Sequence, residues 1–580
     1  MFVVSAVDGV EAQTERIWKV AAKLGVPRMV FVNKLDRERA SFTDTLDQLR
    51  ETFGAGVAPL ELPIGEEASF RGVADLLSDT AYVYRNGDAT TEAIPDDMSD
   101  LEHQVHDNLV EGIVVADDDQ LERYLSGETL TVDELEHTLA LGVDHAEVFP
   151  VVCGSATQEI AVDRLADLIC EIGPSPLDRP PVGVEAGPTT VEVAPDPNGD
   201  PLAFVFKTYA DQYGAISLFK VVSGTIHPDD HLSNSRTGAD ERLHSLFALR
   251  GRTHLPIDGV PAGDIAAVAK LSATATGDTL APRGRPVVVP PIEQPEPGFA
   301  TAVVPRTQSD DDKLATALHR LLDEDPALVI DRSDETHQTI VRGLGETHVQ
   351  IALERLEEQY GVHVVAEEVR VPYRETITTT AEAEGRHKKQ SGGHGQFGVC
   401  TLRVEPLARG EGFEFVDQVV GGAIPKQFIP AVRKGVEEAM TEGGGRGYPV
   451  VDVRVTCLDG KYHPVDSSEM SFKAAARLAF REAVAQAGPV IIEPVSRLEV
   501  TVPVDLQGDV IGHLNTHRAR VQGTTAGDTG EMVVEALVPT SELRRYAVDL
   551  RSLSRGRGTF HATHDRYDVL PDHLVPAPPG

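Results

Sequence analysis

The chain has 580 residues, a hydrophobic content of 41% and a formal net charge of −39. This length predicts several domains, and this hydrophobic content supports packed cores and excludes a disordered protein. The negative charge argues against broad, non-specific binding to nucleic acid but leaves room for a local basic surface. No apolar run approaches the ~20 residues of a membrane span and no leader-like segment opens the chain, so we expect a soluble cytoplasmic protein.

The first part of the chain has the pattern of a parallel α/β domain. Continuous apolar runs predict strands that are buried on both faces, at residues 2–7, 29–32 and 148–152. Between the first two strands, a predicted helix places four apolar side chains on one face, namely Ile17, Val20, Ala21 and Leu24. An acidic, irregular stretch of helices and loops at about 55–145 is predicted to be an insertion into this domain.

The rest of the chain predicts a multidomain α/β and α+β protein. After a Pro-rich linker, short alternating strands predict an antiparallel β-barrel over 185–290. Two later segments, 297–370 and 496–580, show the strand–helix–strand–strand–helix–strand order that is typical of ferredoxin-like α/β sandwiches. Residues 371–495 mix strands with helices that are predicted around 427–441 and 467–487.

The sequence NKLD at residues 33–36 is the first candidate site, because it follows a predicted parallel strand at the edge where open α/β sheets bind ligands. The Asp36 carboxylate can accept from both the ring N–H and the exocyclic amine of guanine, which adenine does not offer. Asn33 can brace the loop and the Lys34 stem can lie on the ring face. Backbone amides near Ser155 and Ala156 are then expected to meet the guanine oxygen. A plain surface turn is the alternative for so short a match.

The second candidate site is a basic, glycine-rich segment that we predict to be an exposed, flexible loop. Glycines allow the backbone to approach RNA, cations meet phosphates, and amide or imidazole groups can bond sugars or base edges. A solvated basic loop is the alternative interpretation. The candidate RNA-contacting residues are Arg386, His387, Lys388, Lys389, Gln390, Gly392, Gly393, His394 and Gln396.

Two further patterns are not interpreted as sites. The formal GxGxxG at 393–398 follows a polar run and no buried strand, which argues against dinucleotide binding. The histidine pairs lack an obvious carboxylate or thiolate that would complete a metal set. We therefore expect exposed histidines and no metal site at His513 with His517 and at His561 with His564.

Long segments of the chain, in order, resemble bacterial translation elongation factor G. SAVDGVEAQTERIWKVAAKLGVPRMVFVNKLDR and PVVCGSA resemble segments of its G domain. AGDIAAVAKLSATATGDTL resembles its second domain and GLGETHVQI its third. Three segments resemble its fourth domain, namely KKQSGGHGQFG, GGAIPKQFIPAVRKGVEEAM and YHPVDSSEMSFKAA. LRSLSRGRGTF resembles the end of its fifth domain. The variant QSGGHGQFGVC looks most like the actinobacterial elongation factor G-like paralogue.

This resemblance implies five domains: an incomplete P-loop-type G domain over 1–180, the β-barrel, a third domain over 297–370, a ribosome-facing fourth domain over 371–495, and a fifth over 496–580. It implies GTP or GDP as ligand and a monomer that acts on the ribosome, at ribosomal RNA of the A-site region and the tRNA–mRNA, in translocation or recycling. It also adds His463, in the family's second tip loop, to the RNA-contacting candidates.

The family's phosphate-binding motif GxxxxGK[ST] does not occur in the sequence. Phosphoryl transfer needs a phosphate cradle, Mg²⁺ ligands and a positioned water, so we expect Mg²⁺ only together with the missing segment and assign no catalytic residue. We expect this chain not to hydrolyse GTP. The alternatives are a nucleotide-independent ribosome-binding regulatory short form and a tetracycline-resistance-type ribosomal protection protein.

Overall fold

A computed structural model of the chain describes residues 1–576 apart from 86–87, 115–116, 129, 212–213, 252, 392–393 and 528–529. The chain forms two compact units, Met1–Glu293 and Gln294–Gly580. Each domain within them has its own cluster of buried apolar side chains, so each has a core of its own.

The first domain contains the predicted parallel sheet. Its elements are β1 (Phe2–Ser5), α1 (Ala12–Lys23), β2 (Val30–Asn33), α2 (Phe42–Phe53), β3 (Val57–Pro59), β4 (Glu61–Ile64), β5 (Gly72–Asp75), β6 (Thr80–Arg85), β7 (Asp88–Glu92), α3 (Ser99–Val114), α4 (Asp118–Leu125), α5 (Val132–Asp144), β8 (Phe149–Cys153) and α6 (Val162–Ile172). The strand order is β1-β2-β8-β3, and every neighbouring pair is parallel. The three predicted strands and their parallel arrangement are confirmed.

The predicted insertion differs from its expected character. The stretch 55–145 begins with β3, which belongs to the main sheet, and continues with a four-stranded antiparallel sheet in the order β4-β5-β6-β7. The helical part of the prediction is confirmed by α3, α4 and α5, whereas the antiparallel sheet was missed. Its strands are short and carry acidic residues, so their period-2 pattern is weak in the sequence.

Helix α1 forms where predicted, but its apolar stripe faces outward. Ile17, Val20 and Leu24 are exposed by 47%, 54% and 66%. The buried face carries Trp18, whose ring stacks on Phe53 at 4.1 Å between centroids. One large aromatic side chain thus fixes this helix to the domain, while the aliphatic stripe stays uncovered.

The next domain consists of short antiparallel strands, as predicted. They are β9 (Val182–Ala186), β10 (Thr189–Val193), β11 (Leu202–Asp211), β12 (Gly214–Ser223), β13 (Thr225–Ile226), β14 (His231–Asn234), β15 (Asp240–Arg242), β16 (Leu246–Arg250), β17 (Thr253–Pro256), β18 (Val260–Pro261), β19 (Ile265–Ala269) and β20 (Thr279–Ala281). Eight of them form one sheet in the order β15-β14-β20-β11-β12-β19-β16-β17. Its buried side chains include Val205, Phe219 and Val268.

The second unit begins with a ferredoxin-like domain. It contains β21 (Phe299–Pro305), α7 (Gln308–Glu324), β22 (Val329–Ser333), β23 (Gln338–Gly343), α8 (Glu346–Tyr360) and β24 (Val364–Glu367). The sheet order is β22-β23-β21-β24 with antiparallel neighbours, which is the arrangement of that fold and confirms the prediction.

The following domain is mixed α+β. It contains β25 (Arg374–Ile377), β26 (Ala381–Ser391), β27 (His394–Pro406), β28 (Phe413–Asp417), α9 (Ile429–Glu442), β29 (Val453–Lys461) and α10 (Glu469–Gln486). Its sheet order is β26-β27-β29-β28, and β28 runs parallel to β29. Both predicted helices are confirmed.

The last domain is the second ferredoxin-like sandwich. It contains β30 (Pro489–Pro503), α11 (Gln507–Thr516), β31 (Arg520–Ala526), β32 (Glu531–Pro539), α12 (Tyr546–Leu553) and β33 (Thr559–Val569). Strand β30 pairs with β32 and β33 and, through its first residues, with β25 of the preceding domain. The predicted boundary at 495/496 therefore falls inside a strand that the two domains share.

Candidate guanine site and basic hairpin

The NKLD sequence lies at the carboxyl edge of the parallel sheet. Strand β2 ends at Asn33 and its neighbour β8 ends at Cys153, with Val32 in register with Cys153. Because parallel neighbours end at the same edge, the loops that follow them meet. The Leu35 N–H donates to the Gly154 carbonyl oxygen at 3.4 Å. The structure thus brings residues 33–36 and 154–156 together, as the sequence predicted.

Asn33 braces this loop through its side-chain oxygen. Its Oδ1 accepts from the backbone N–H of Lys34 at 2.8 Å and from that of Ala156 at 3.0 Å. Lys34 has a left-handed backbone with φ of 69°, which is costly for a residue other than glycine. The two hydrogen bonds hold that conformation, and the Asn33 Nδ2 makes no hydrogen bond to any described residue.

Asp36 is held at the same edge with acceptor capacity to spare. Its Oδ1 accepts from the buried Ser155 hydroxyl at 2.7 Å, and its Oδ2 lies 3.5 Å from the Thr157 hydroxyl. The side chain is 15% exposed. Arg37 Nε lies 4.0 Å from Oδ2, too far for a hydrogen bond. A carboxylate offers about four lone-pair positions, so these contacts leave room for two donors of one base edge. These residues fit a guanine base.

The backbone N–H groups of Ser155 and Ala156 were expected to contact the guanine oxygen, but the structure uses them elsewhere. The Ser155 N–H donates to the Ile160 carbonyl oxygen at 3.1 Å, and the Ala156 N–H donates to Asn33. Both donors are therefore used within the protein. The Thr157 N–H, one residue further along, makes no hydrogen bond to the described part of the chain.

Lys34 contacts an acid that sequence reasoning missed. Its Nζ lies 3.4 Å from Asp8 Oδ2, and the Ser5 hydroxyl donates to the same oxygen at 2.7 Å. The Ser5 hydrogen bond, and then Lys34, lower the pKa of Asp8. Asp8 lies three residues after the end of β1 and directly follows the strand predicted at residues 2–7, so its position after a predicted strand was the available signal.

Glu61 is buried beside the end of β8, next to the loop at residues 154–156, and was also missed. It is 1% exposed on β4, and its Oε2 accepts from the Cys153 backbone N–H at 3.1 Å. Its Oε1 has no hydrogen-bond partner in the described structure. Burial raises the pKa of Glu61 to about 8, although the Cys153 bond opposes this shift. Close by, Arg164 Nη2 pairs with the buried Asp75 at 2.9 Å.

The basic segment is a β-hairpin, so its prediction as a flexible loop was wrong. Strands β26 and β27 pair from Ala381 with Val404 to Ser391 with His394. The polar, glycine-rich composition hid the strand pattern, because few side chains here are apolar. Gly392 and Gly393 lie outside the described residues, as do the side chains of Gln390 and His394.

We use "basic hairpin" for residues 386–398. Arg386 pairs with Glu384 at 3.3 Å, and His387 Nε2 lies 2.9 Å from Gln396 Oε1. Lys388 and Lys389 are exposed and form no ion pair with any residue that the structure describes. Two adjacent lysines are therefore available to an external anion in a chain whose net charge is −39.

Two glycines in strands β26 and β27 serve helix packing. A Cβ on Gly385 would lie 2.0 Å from the Ala475 carbonyl oxygen, and one on Gly398 would lie 2.8 Å from that of Ser471. Helix α10 thus lies directly on the strands, with room for backbone only. The glycine at 398 of the GxGxxG match is explained by this contact.

His463 lies beside the hairpin, in a segment that we call the "tip loop" (residues 462–468). The Phe397 N–H donates to the Asp466 carbonyl oxygen at 2.9 Å, and the Ser467 hydroxyl donates to the Phe397 oxygen at 2.8 Å. The Gly395 N–H donates to Asp466 Oδ1 at 3.2 Å. His463 Nδ1 lies 3.2 Å from Asp466 Oδ2. The structure therefore joins the two predicted RNA-contacting segments into one surface.

Five family models of known proteins match successive segments of the chain. The family model of the elongation factor Tu GTP binding domain matches residues 1–175, and that of elongation factor G domain 2 matches 200–282. Family models of elongation factor G domain III, domain IV and the C-terminus match 294–368, 369–488 and 490–577.

Whole-chain relatives agree with these matches. The elongation factor G-like protein of Thermotoga maritima is 41% identical over 575 residues, which cover 99% of this chain and 84% of that protein. A crystal structure from Thermus thermophilus is similar with a TM-score of 0.77 and 35% identity, over 98% of this chain and 83% of that one.

The GTP-binding-type domain with its NKLD edge, followed by translation-factor domains in order, defines the class of translation GTPases. Within that class, the chain belongs to the elongation factor G family. Among the described residues, no helix combines the length and apolar content needed to cross a membrane.

Proposed function

We propose that this protein acts on the ribosome in translocation or ribosome recycling, as a monomer in the cytoplasm. The observation that carries the proposal is the basic hairpin of a strongly acidic chain: Lys388 and Lys389 are exposed without an ion pair to any described residue, and Gly395 and Phe397 of the same hairpin are bonded to the tip loop. Cations at this surface bind RNA phosphates, while the global charge disfavours other anionic surfaces. The tip loop and hairpin together enter the A-site region and contact ribosomal RNA or the tRNA–mRNA.

We also propose that Asn33, Lys34 and Asp36, with the loop at Ser155 and Ala156, hold the guanine of GTP or GDP. The phosphates and Mg²⁺ are held by residues outside this chain, since the sequence contains no GxxxxGK[ST]. The exposed aliphatic stripe on α1 supports a further segment that covers this side of the domain.

The first prediction concerns nucleotide affinity. The chain alone is expected to bind GDP with a dissociation constant on the order of millimolar or weaker and not to hydrolyse GTP. Charged hydrogen bonds to the base contribute about 1.5–3 kcal/mol each, and the entropy of association removes most of that gain. Isothermal calorimetry with GDP, with ADP as the control ligand, measures this affinity. Micromolar binding of GDP would contradict the proposal that the phosphates need a further segment.

The second prediction concerns base selection by Asp36. In a longer protein that supplies the phosphate-binding segment, Asp36→Asn is expected to weaken guanine nucleotides and to favour xanthine nucleotides. The amide N–H₂ opposes the donors of guanine, whereas the additional carbonyl of xanthine accepts from it. Competition between GDP and XDP measures the change. Thr157→Val is the control, because its hydroxyl touches Asp36 only at 3.5 Å. An unchanged GDP-to-XDP ratio would show that Asp36 does not read the base.

The third prediction tests the ribosome surface. Replacing Lys388 and Lys389 by Glu is expected to weaken ribosome binding and to flatten its dependence on salt, because fewer phosphate counterions are released. Ribosome co-sedimentation at two salt concentrations measures both. Lys426→Glu with Lys434→Glu is the charge-matched control, at exposed positions just before and within α9 of the same domain. If the two double variants lose binding equally, the effect is one of net charge and the hairpin is not the contact.

A further inference from the structure

Three potential metal ligands meet at one place in the last domain. The ligand atoms of His513, His517 and Asp549 all lie within 4.8 Å of one another, and the three residues are half-buried. His513 lies in the last turn of α11 and His517 directly follows that helix, whereas Asp549 comes from α12. The sequence showed only the histidine pair, because the carboxylate that completes the set lies on a different helix. The expectation of exposed histidines was wrong for this pair, because both are half-buried.

Two of the three groups lack partners in the described structure. The His513 Nδ1 is buried without a hydrogen bond, which is unfavourable for an imidazole nitrogen. The Asp549 carboxylate makes no hydrogen bond or ion pair with any described residue. A cation bound by His513 through Nδ1 and by Asp549 would give both groups a partner.

The third group lies near a carboxylate. His517 Nδ1 lies 3.4 Å from Glu542 Oε2, and Arg518 Nε donates to the other oxygen of Glu542 at 2.8 Å. A carboxylate at one imidazole nitrogen fixes the ring and raises the basicity of the other nitrogen, an arrangement common behind metal-binding histidines. This contact occupies the Nδ1 side of His517 and leaves Nε2 as its ligand atom for the cluster.

We propose that His513, His517 and Asp549 bind a divalent transition-metal ion of the zinc type. Two imidazoles and one carboxylate suit Zn²⁺, whereas Ca²⁺ and Mg²⁺ prefer oxygen ligands only. Ligands at ~2.0–2.1 Å from a tetrahedral ion are about 3.4 Å apart, so the side chains close by about an ångström on binding. Three protein ligands leave a fourth position for water. The ion ties α11 to α12.

The test is a Zn²⁺ titration of the full chain. We expect one equivalent to bind to the wild-type protein and the affinity to fall about 100-fold in His513→Gln and in Asp549→Asn, because each loses a ligand. Glu542→Gln is expected to lose about 10-fold, as an orienting partner does. His561→Gln is the matched control, since His561 contacts a single carboxylate, Glu296, and is expected to leave binding unchanged.

Two further measurements distinguish the loss of a metal ligand from a loss of folding in the variants. Co²⁺ bound at this site is expected to give the visible absorption of tetrahedral coordination, and His517→Gln is expected to abolish it. Zn²⁺ is expected to raise the unfolding temperature of the wild type but not that of Asp549→Asn, whose circular dichroism is expected to match the wild type. Wild-type Zn²⁺ binding that no ligand substitution weakens would overturn the proposal.

Discussion

Gly385→Ala is expected to unfold the domain of residues 374–486 while the first unit keeps its structure. The new Cβ would lie 2.0 Å from the Ala475 carbonyl oxygen and 2.4 Å from the Ala479 backbone nitrogen. These are backbone atoms of α10, which cannot turn aside as a side chain can. Overpacking of well-packed cores costs about 1–3 kcal/mol, and a clash with backbone on this scale is expected to cost about 4 kcal/mol or more.

Hydrogen exchange measured by mass spectrometry localises this effect. Protection is expected to be lost in the strands β26 and β27 and in α10, and to persist in residues 1–293, which have cores of their own. Gly523→Ala is the matched control, because Gly523 also lies in a strand but a Cβ added there would have no atom within 4 Å. That variant is expected to change stability by no more than ~0.5 kcal/mol. Unchanged protection of α10 in Gly385→Ala would contradict the packing explanation.

Glu61→Gln is expected to remove a pH dependence from the first domain. The pKa of Glu61 rises from 4.5 to about 8 on folding because the carboxyl is buried. The folded state therefore holds a proton that the unfolded state releases above about pH 4.5. The stability that this proton contributes is fully present below that pH and is lost as the pH rises through about 8. At about 1.4 kcal/mol per tenfold difference in proton affinity, the loss has an upper limit of about 5 kcal/mol.

Trp18 reports this domain alone, since it is the single tryptophan of the chain and lies in the same core as the strands around Glu61. Urea unfolding followed by its fluorescence between about pH 5 and about pH 8.5 is expected to show falling stability in the wild type and a flatter profile in Glu61→Gln. Glu111→Gln, at an exposed position of α3, is the control and is expected to follow the wild type. A wild-type profile that rises towards the alkaline end, with Glu61→Gln parallel to it, would show that the carboxyl is ionised in the folded state.

Much of the fold could be predicted from local pattern. Apolar runs predicted the parallel strands, and the order of strands and helices predicted both ferredoxin-like domains, because burial on both faces and element order are written in consecutive residues. NKLD could be placed at a ligand-binding edge for the same reason: its position relative to a strand is local. The strands of the basic hairpin could not be predicted in this way, because they carry few apolar side chains and are buried by contact with α10.

The contacts between distant segments had no local signal. Glu61 reaches Cys153 across 92 residues, and Asp466 reaches Gly395 across 71. Asp549 joins His513 only because α12 packs near α11. Ile17 and its neighbours show the converse case, since a periodic apolar stripe predicted the helix correctly but gave no sign that three of its four residues are exposed. Periodicity identifies which face is apolar, and only tertiary structure decides what covers it.

The joint between the basic hairpin and the tip loop has a mechanical consequence. A two-stranded ribbon bends easily at its free end, but this one is braced along its length by α10 and at its end by the bonds from Phe397 and Gly395 to Asp466. Force applied at the tip is therefore shared between two covalent routes, the ribbon and the helix that begins just after the tip loop. A load on the tip loop would therefore enter the domain both through strands β26 and β27 and through α10.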